Sequence, residues 1–184
     1  MAERAFKLGI LQSEFTRYAV GRLCGSIGLC FGFPSGAALS NMHSARLVLG
    51  LDELREALPD LKNSALEVSS KAAKIISSSV FLCTGNSSLF KVAECVYLAV
   101  ETANSGLKVK RIHEALKKRS ESKELRRMEQ KAAAAFFCDL AEFFAVGLEL
   151  WPVYAVVTLL RVSYFLFDRY GDQLRAFQKS AKTK

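Results

Sequence analysis

The spacing of apolar side chains predicts helix almost everywhere along the chain. Phe6, Ile10 and Leu11 fall on one side of an amphipathic stretch over Ala2–Val20, the 3.6-residue period of a half-buried helix. Gly21–Asn41 is Gly/Ser-rich, uncharged past Arg22, and punctuated by Phe33-Pro34-Ser35-Gly36. It predicts a turn region flanked by short apolar pieces. Its glycines suit either close helix approach in lipid or a packed surface loop. Ala45–Leu58 predicts a helix ended by Pro59, because the residue before a proline avoids the α region. The stripe Leu61, Ala65, Val68, Ala72, Ile75, Ser79 predicts a helix over Leu61–Leu82. Asp60 is its N-cap, or the start falls at the capping-box pattern Ser64-Ala65-Leu66-Glu67. After the breaker Thr84–Ser88, the stretch Leu89–Ala103 is apolar on nearly every face and predicts a centrally buried helix. Asn104-Ser105-Gly106 ends it. Leu107–Met128 predicts a basic helix whose apolar stripe is Val109, Ile112 and Leu116. From Lys131 to Asp168 the chain is mostly apolar, and Trp151-Pro152 divides it into two lobes. A short basic tail follows Tyr170-Gly171. There is no internal repeat and no strand-like alternation. The fold class is all-α, a bundle of roughly six to seven helices with a two-lobed apolar hairpin in the C-terminal third. Its parts are residues 1–44, residues 45–130 ending in the basic helix, and residues 131–184.

Composition narrows the class. Of 184 residues, 51% are apolar and 24% charged, which excludes a disordered chain. Three prolines and eleven glycines exclude collagen-like material. A compact soluble bundle and a small membrane-associated protein both remain.

Charge adds a location. The net charge is +8, and Leu107–Lys131, with ten Lys/Arg and four Glu, carries +6 of it, leaving +2 for everything else. A basic segment beside apolar ones points to an anionic partner. Lys117, Lys118, Arg119, Arg126 and Arg127 lie on its polar side as candidate contacts to an anionic lipid surface or a partner protein. The plainer reading is a solvated helix face. Without interleaved aromatic residues the segment matches no RNA or DNA module, so nucleic acid is disfavoured. A second copy of the chain is left open as a partner. The first 22 residues are too long and too mixed in charge for the n-region of a cleavable signal, so export would need another route.

The two lobes test whether the chain crosses a bilayer, which takes ~20 apolar residues per helix. Ala132–Leu148 has 17 residues and two carboxylates, Val153–Phe167 has 15 and one arginine. A central Asp or Arg costs about 2.5–3.5 kcal/mol, while each large aliphatic returns only about 0.3–0.6. The first lobe fails as an isolated span. Asp139, Glu142 and Glu149 fall on one helical face, so a hairpin turning at Trp151-Pro152 sets Arg161 against them. Glu142 and Arg161 lie about equally far from that turn and are the expected ion pair, inside a membrane or a core. Arg126, Arg127 and Lys131 before the lobes, and Arg169 and Arg175 after them, put both hairpin ends on one side.

No catalytic chemistry is legible. The chain lacks a phosphate-binding glycine loop, a nucleophile elbow and a metal-ligand cluster. Asp139 and Glu142 lack the histidines a di-iron bundle needs. Five cysteines in an odd count without CxxC read as reduced, structural thiols. Asn86-Ser87-Ser88 is a glycosylation sequon by pattern alone. The expectation is a non-enzymatic protein with no catalytic residues, no cofactor and no metal.

Two stretches resemble a known family. Ala45-Arg46-Leu47-Val48-Leu49-Gly50-Leu51, followed by Ala57-Leu58-Pro59 and Ser64-Ala65, has the order of a segment in chlamydial inclusion membrane proteins of the class-I-accessible type. Lys131-Ala132-Ala133-Ala134-Ala135 with Cys138 just after resembles that family's entry into its hydrophobic region. The resemblance implies a type III secreted virulence protein with a bilobed hairpin in the pathogen vacuole membrane and both termini in host cytosol, where it meets host proteins. The charged residues inside the lobes depart from that pattern. The layout alone is similar to the peroxisome-shaping family of amphipathic helical membrane proteins. The rival class is a cytoplasmic all-α adaptor.

Overall fold

A computed structural model describes residues 14–61, 64–118 and 122–164. Every regular element among them is helical. In chain order these are α1 (Glu14–Phe31), α2 (Gly36–Ala57), a 3-10 turn (Leu58–Asp60), α3 (Ala65–Thr84), α4 (Ser88–Lys118) and α5 (Lys123–Gly147). Residues 151–164 are also helical and are called α6 here. Consecutive helices α1 to α5 pack on one another. Short connections reverse the chain at each step, so the turns at 31–36, 84–88 and 147–151 share one end of the bundle. The end of α2 with its 3-10 turn, the end of α4 at Lys118 and the start of α5 at Lys123 occupy the other.

The caps explain the reversals. Gly32 (φ 70°) ends α1 in the left-handed region, and the Phe33 N–H returns to the Gly28 carbonyl at 3.0 Å, the closing bond of a Schellman motif. Ser87 Oγ accepts from Phe90 N at 3.2 Å and caps α4, which gives that part of the sequon a structural role. Ser122 Oγ accepts from Leu125 N at 3.3 Å and caps α5. A second Schellman motif closes α5. Leu150 N donates to Ala145 O at 2.8 Å and Glu149 N to Val146 O at 3.3 Å. Glu149 holds the left-handed position (φ 55°) that glycine usually takes.

Several boundaries differ from the sequence reading. Gly21–Asn41 is a turn only over residues 32–35: α1 runs to Phe31 and α2 starts at Gly36. Gly21 and Gly25 face α2, and a Cβ on Gly21 would lie 2.9 Å from the Ala38 carbonyl oxygen and the Met42 nitrogen. They let two backbones meet instead of breaking a helix. Asn104-Ser105-Gly106 does not end a helix either, since α4 continues through it. Asn104 and Ser105 are buried, and Ser105 Oγ donates to Asp139 Oδ2 at 2.6 Å. Tertiary packing outweighs the local propensity there. The basic stretch is two helices with a break after Lys118. The C-terminal turn is Leu148-Glu149-Leu150, and Trp151-Pro152 open α6. The part of the expected first helix before Glu14, Arg169, Arg175 and the basic tail lie outside the described residues.

Candidate functional site

What stands out in the interior is charge. Among the described residues, six arginine and carboxylate side chains from five helices are buried: Arg22, Arg46, Arg161, Glu94, Asp139 and Glu142. They form two networks. In the first, Arg22 on α1 and Arg161 on α6 both donate to Glu142 on α5, the second at 3.0 Å. Arg161 also donates to Asp139, and Asp139 accepts from Ser105 on α4. In the second, Arg46 on α2 grips Glu94 on α4 through two parallel bonds of 2.9 and 3.0 Å, with Ser77 on α3 donating to the same carboxylate. The bidentate geometry is the strongest form of this pair. The Arg46 guanidinium also lies 4.2 Å from the Tyr97 ring centroid, a cation–π contact. Arg22 Nη1 donates to Tyr18 at 2.7 Å.

Three positive and three negative charges balance. Burial works against the charge on each arginine. Glu142 for Arg22, Glu94 for Arg46, and Glu142 with Asp139 for Arg161 outweigh it and hold all three above the ordinary arginine range. Burial raises Glu94, but Arg46 overcomes it and keeps this carboxyl below its usual value. Asp139 goes the other way, because burial exceeds what Arg161 and Ser105 return. His43 lies beside the second network, stacked on Phe81 at 4.1 Å and edge-on to Phe90 at 5.2 Å. Burial first and Arg46 second push it down to about 3, so the imidazole is neutral.

Of the sequence candidates, the structure brings Glu142 and Arg161 together. It adds Arg22 and Asp139, so the unit is a four-member chain and not an isolated pair. Glu149 does not share their face. It sits beyond the end of α5 and pairs with Lys91 at 2.6 Å. Lys117 and Arg126 come together across the α4–α5 connection, the basic elbow, where they line an open cleft of about 330 Å³ with His113 and Glu129. His113 Nδ1 is 2.7 Å from Glu129 Oε1. Arg127 is exposed on α5. Arg119 and the Lys118 side chain lie outside the described residues. Sequence reasoning missed Arg22, Arg46 and Glu94 as core charges. The available signal was Arg22 itself, a lone cation entering an otherwise uncharged stretch, which requires a partner wherever it is buried.

Among the described residues no group of His, Cys, Asp and Glu could hold a metal ion, and the described cysteines are free thiols. Nor is any helix of the described residues long and apolar enough to cross a membrane. Compared with known proteins, the chain matches no family model, no curated protein and no solved structure.

Proposed function

We propose that this is a non-enzymatic, membrane-associated helical protein that scaffolds partners or shapes the membrane it sits in. The observation that carries this reading is the inverted distribution of polarity. Arginines and carboxylates share the interior with the apolar clusters around Leu98 and Met42, while Phe31 (72% exposed), Phe137 (65%), Leu148 (64%) and Val92 (62%) face outward. In water, exposing such groups costs about 25 cal/mol for each Å² of apolar surface, and buried charge is weak as a source of stability. In lipid both features make sense, because ionisable groups there turn inward and pair. The glycines of α1 in contact with α2 fit too, since small residues let helices approach where no hydrophobic force drives them together. Assignment to a pathogen vacuole membrane, by secretion, rests on the two stretches that resemble inclusion membrane proteins. A peroxisome-type membrane-shaping role has the same physical basis. Membrane flotation followed by alkaline carbonate extraction tests the reading. The chain should float and resist extraction, and its recovery in the soluble fraction without detergent would overturn it.

A second reading, a soluble all-α adaptor, is favoured by one observation, the lack of a crossing helix among the described residues. It requires a covering partner for the apolar outer surface.

A further inference from the structure

Resting on the membrane reading, we infer that the molecule enters a bilayer end-on, through the three turns at 31–36, 84–88 and 147–151, and holds its basic elbow away from that surface in water. Those turns present Phe31 and Phe33, Leu82 and Leu89, and Leu148 and Leu150, all exposed. The apolar surface continues down the sides. Val20 and Ile27 on α1, Val92 and Val96 on α4, and Phe137 and Phe144 on α5 are exposed below the same end. A second copy stacked on the end would cover the turns and leave the sides bare. A bulk apolar phase covers both at once.

The dimensions fit one leaflet. Counted from Ser88, eleven residues of α4 reach Ala99, about 16 Å of helix, and take in Leu89, Val92 and Val96, whereas Phe137, next to the Asp139 that meets Ser105 of α4, lies beyond that depth. Half of a hydrocarbon core is about 15 Å. Insertion to that depth needs no helix that crosses. Charged side chains at that depth are the buried, paired ones, Lys74, half-buried and held by Glu53 at 2.9 Å, and Lys91 with Glu149, which neutralise each other across 2.6 Å.

The other end carries the charge, with exposed Leu58 and Leu61 on the connection between α2 and α3. Lys117, Arg126 and Arg127 gather at the far end of α4 and the start of α5. The 31 residues of α4 separate the two ends by about 46 Å. With one leaflet's depth inserted, the elbow stands some 30 Å from the headgroups, several times the ~8 Å Debye length of physiological salt. The basic segment therefore contributes little to membrane binding, which differs from the expectation raised by its charge alone.

Trp151, the single tryptophan, lies at the apolar end, where its carbonyl accepts from Cys30 Sγ at 3.0 Å. It is a built-in depth probe. Full-length protein would be reconstituted with vesicles of zwitterionic or anionic lipid carrying bromine near the headgroup, at mid-chain or at the chain end. Trp151 emission should be quenched most by the mid-chain and chain-end lipids. Met128→Trp in a Trp151→Phe background places the probe on the exposed basic part of α5 and should escape quenching at every depth. Replacing Lys117, Arg126 and Arg127 with Gln should change flotation with anionic vesicles less than about twofold. A basic face lying on the lipid would instead lose roughly a hundredfold. The inference is overturned by quenching of the Met128→Trp probe, by that large loss, or by a chain that floats with Trp151 shielded from all the brominated lipids, which would point to a second copy over the end. Failure to bind vesicles of either composition would overturn the membrane reading itself.

Discussion

At the scale of single residues, the four-member chain Arg22–Glu142–Arg161–Asp139 determines which substitutions compensate. Arg161→Leu leaves Asp139 without its cation in a buried site, and breaking such a contact from one side costs about 3–5 kcal/mol. Adding Glu142→Leu should not recover the loss, because it strands Arg22 and still leaves Asp139 unpaired. Adding Asp139→Leu should recover most of it, since Arg22–Glu142 then survives intact. Denaturation of the three variants in one detergent measures this, and the order of recovery separates a network from the single pair the sequence suggested. His43 gives a second handle. Its folded value near 3 lies below the ordinary 6.5, so between these limits the unfolded chain binds the extra proton. Stability from this group is full above pH 6.5 and is lost as pH falls toward 3, by about 2 kcal/mol at pH 5. Arg46 and Glu94 face the ring throughout, and the raised Asp139 contributes with the opposite sign. The difference between wild type and His43→Gln isolates the imidazole. A pH-independent difference over that window would show that His43 titrates normally.

At the scale of elements, glycines of similar appearance have opposite roles. An added methyl on Gly21 meets backbone atoms of α2 that cannot step aside. Gly21→Ala should therefore destabilise by about 1–3 kcal/mol despite the better helix propensity of alanine. Gly147 has open space around it, so Gly147→Ala should be neutral or stabilising by up to about 1 kcal/mol. Thermal melts of both variants decide the comparison. The same contrast explains what was legible in the sequence. The all-α class, the break at Pro59 and the bend near Trp151 followed from periodicity and from proline. Gly21, Gly25 and the Asn-Ser-Gly at 104–106 misled, because their local signal means a turn only where nothing packs against it, as at Gly32. Glu142 and Arg161 were legible from equal distance to a turn. Arg22 and Arg46 were not, because their partners lie 120 and 48 residues away, and no local period encodes that.

At the scale of the whole molecule, net charge alone does not say which surface meets a membrane. The +8 of the chain suggests a protein spread over an anionic surface. In the end-on arrangement proposed above, much of that excess stands apart from the exposed turns at the opposite end. Two behaviours follow from that separation. In plain buffer the exposed apolar end should drive self-association, and a mild detergent should disperse the chain to a single protomer per micelle. Size-exclusion chromatography with light scattering would show both. A monodisperse 20.3 kDa species without detergent would favour the soluble adaptor. High salt should not disperse the self-associated form, because the contacts that build it are apolar and strengthen when water is withdrawn from them.

The left-handed glutamate at the end of α5 illustrates a conflict between local comfort and long-range purpose. A backbone of that shape favours glycine by about 1–2 kcal/mol, and any scheme that optimises folding alone would install one. Doing so would leave Lys91 with its charge bare at the end of the molecule that has least use for it. In the membrane reading proposed above, a sequence improved for stability at this turn is one degraded for its surroundings, because the pair with Lys91 is lost.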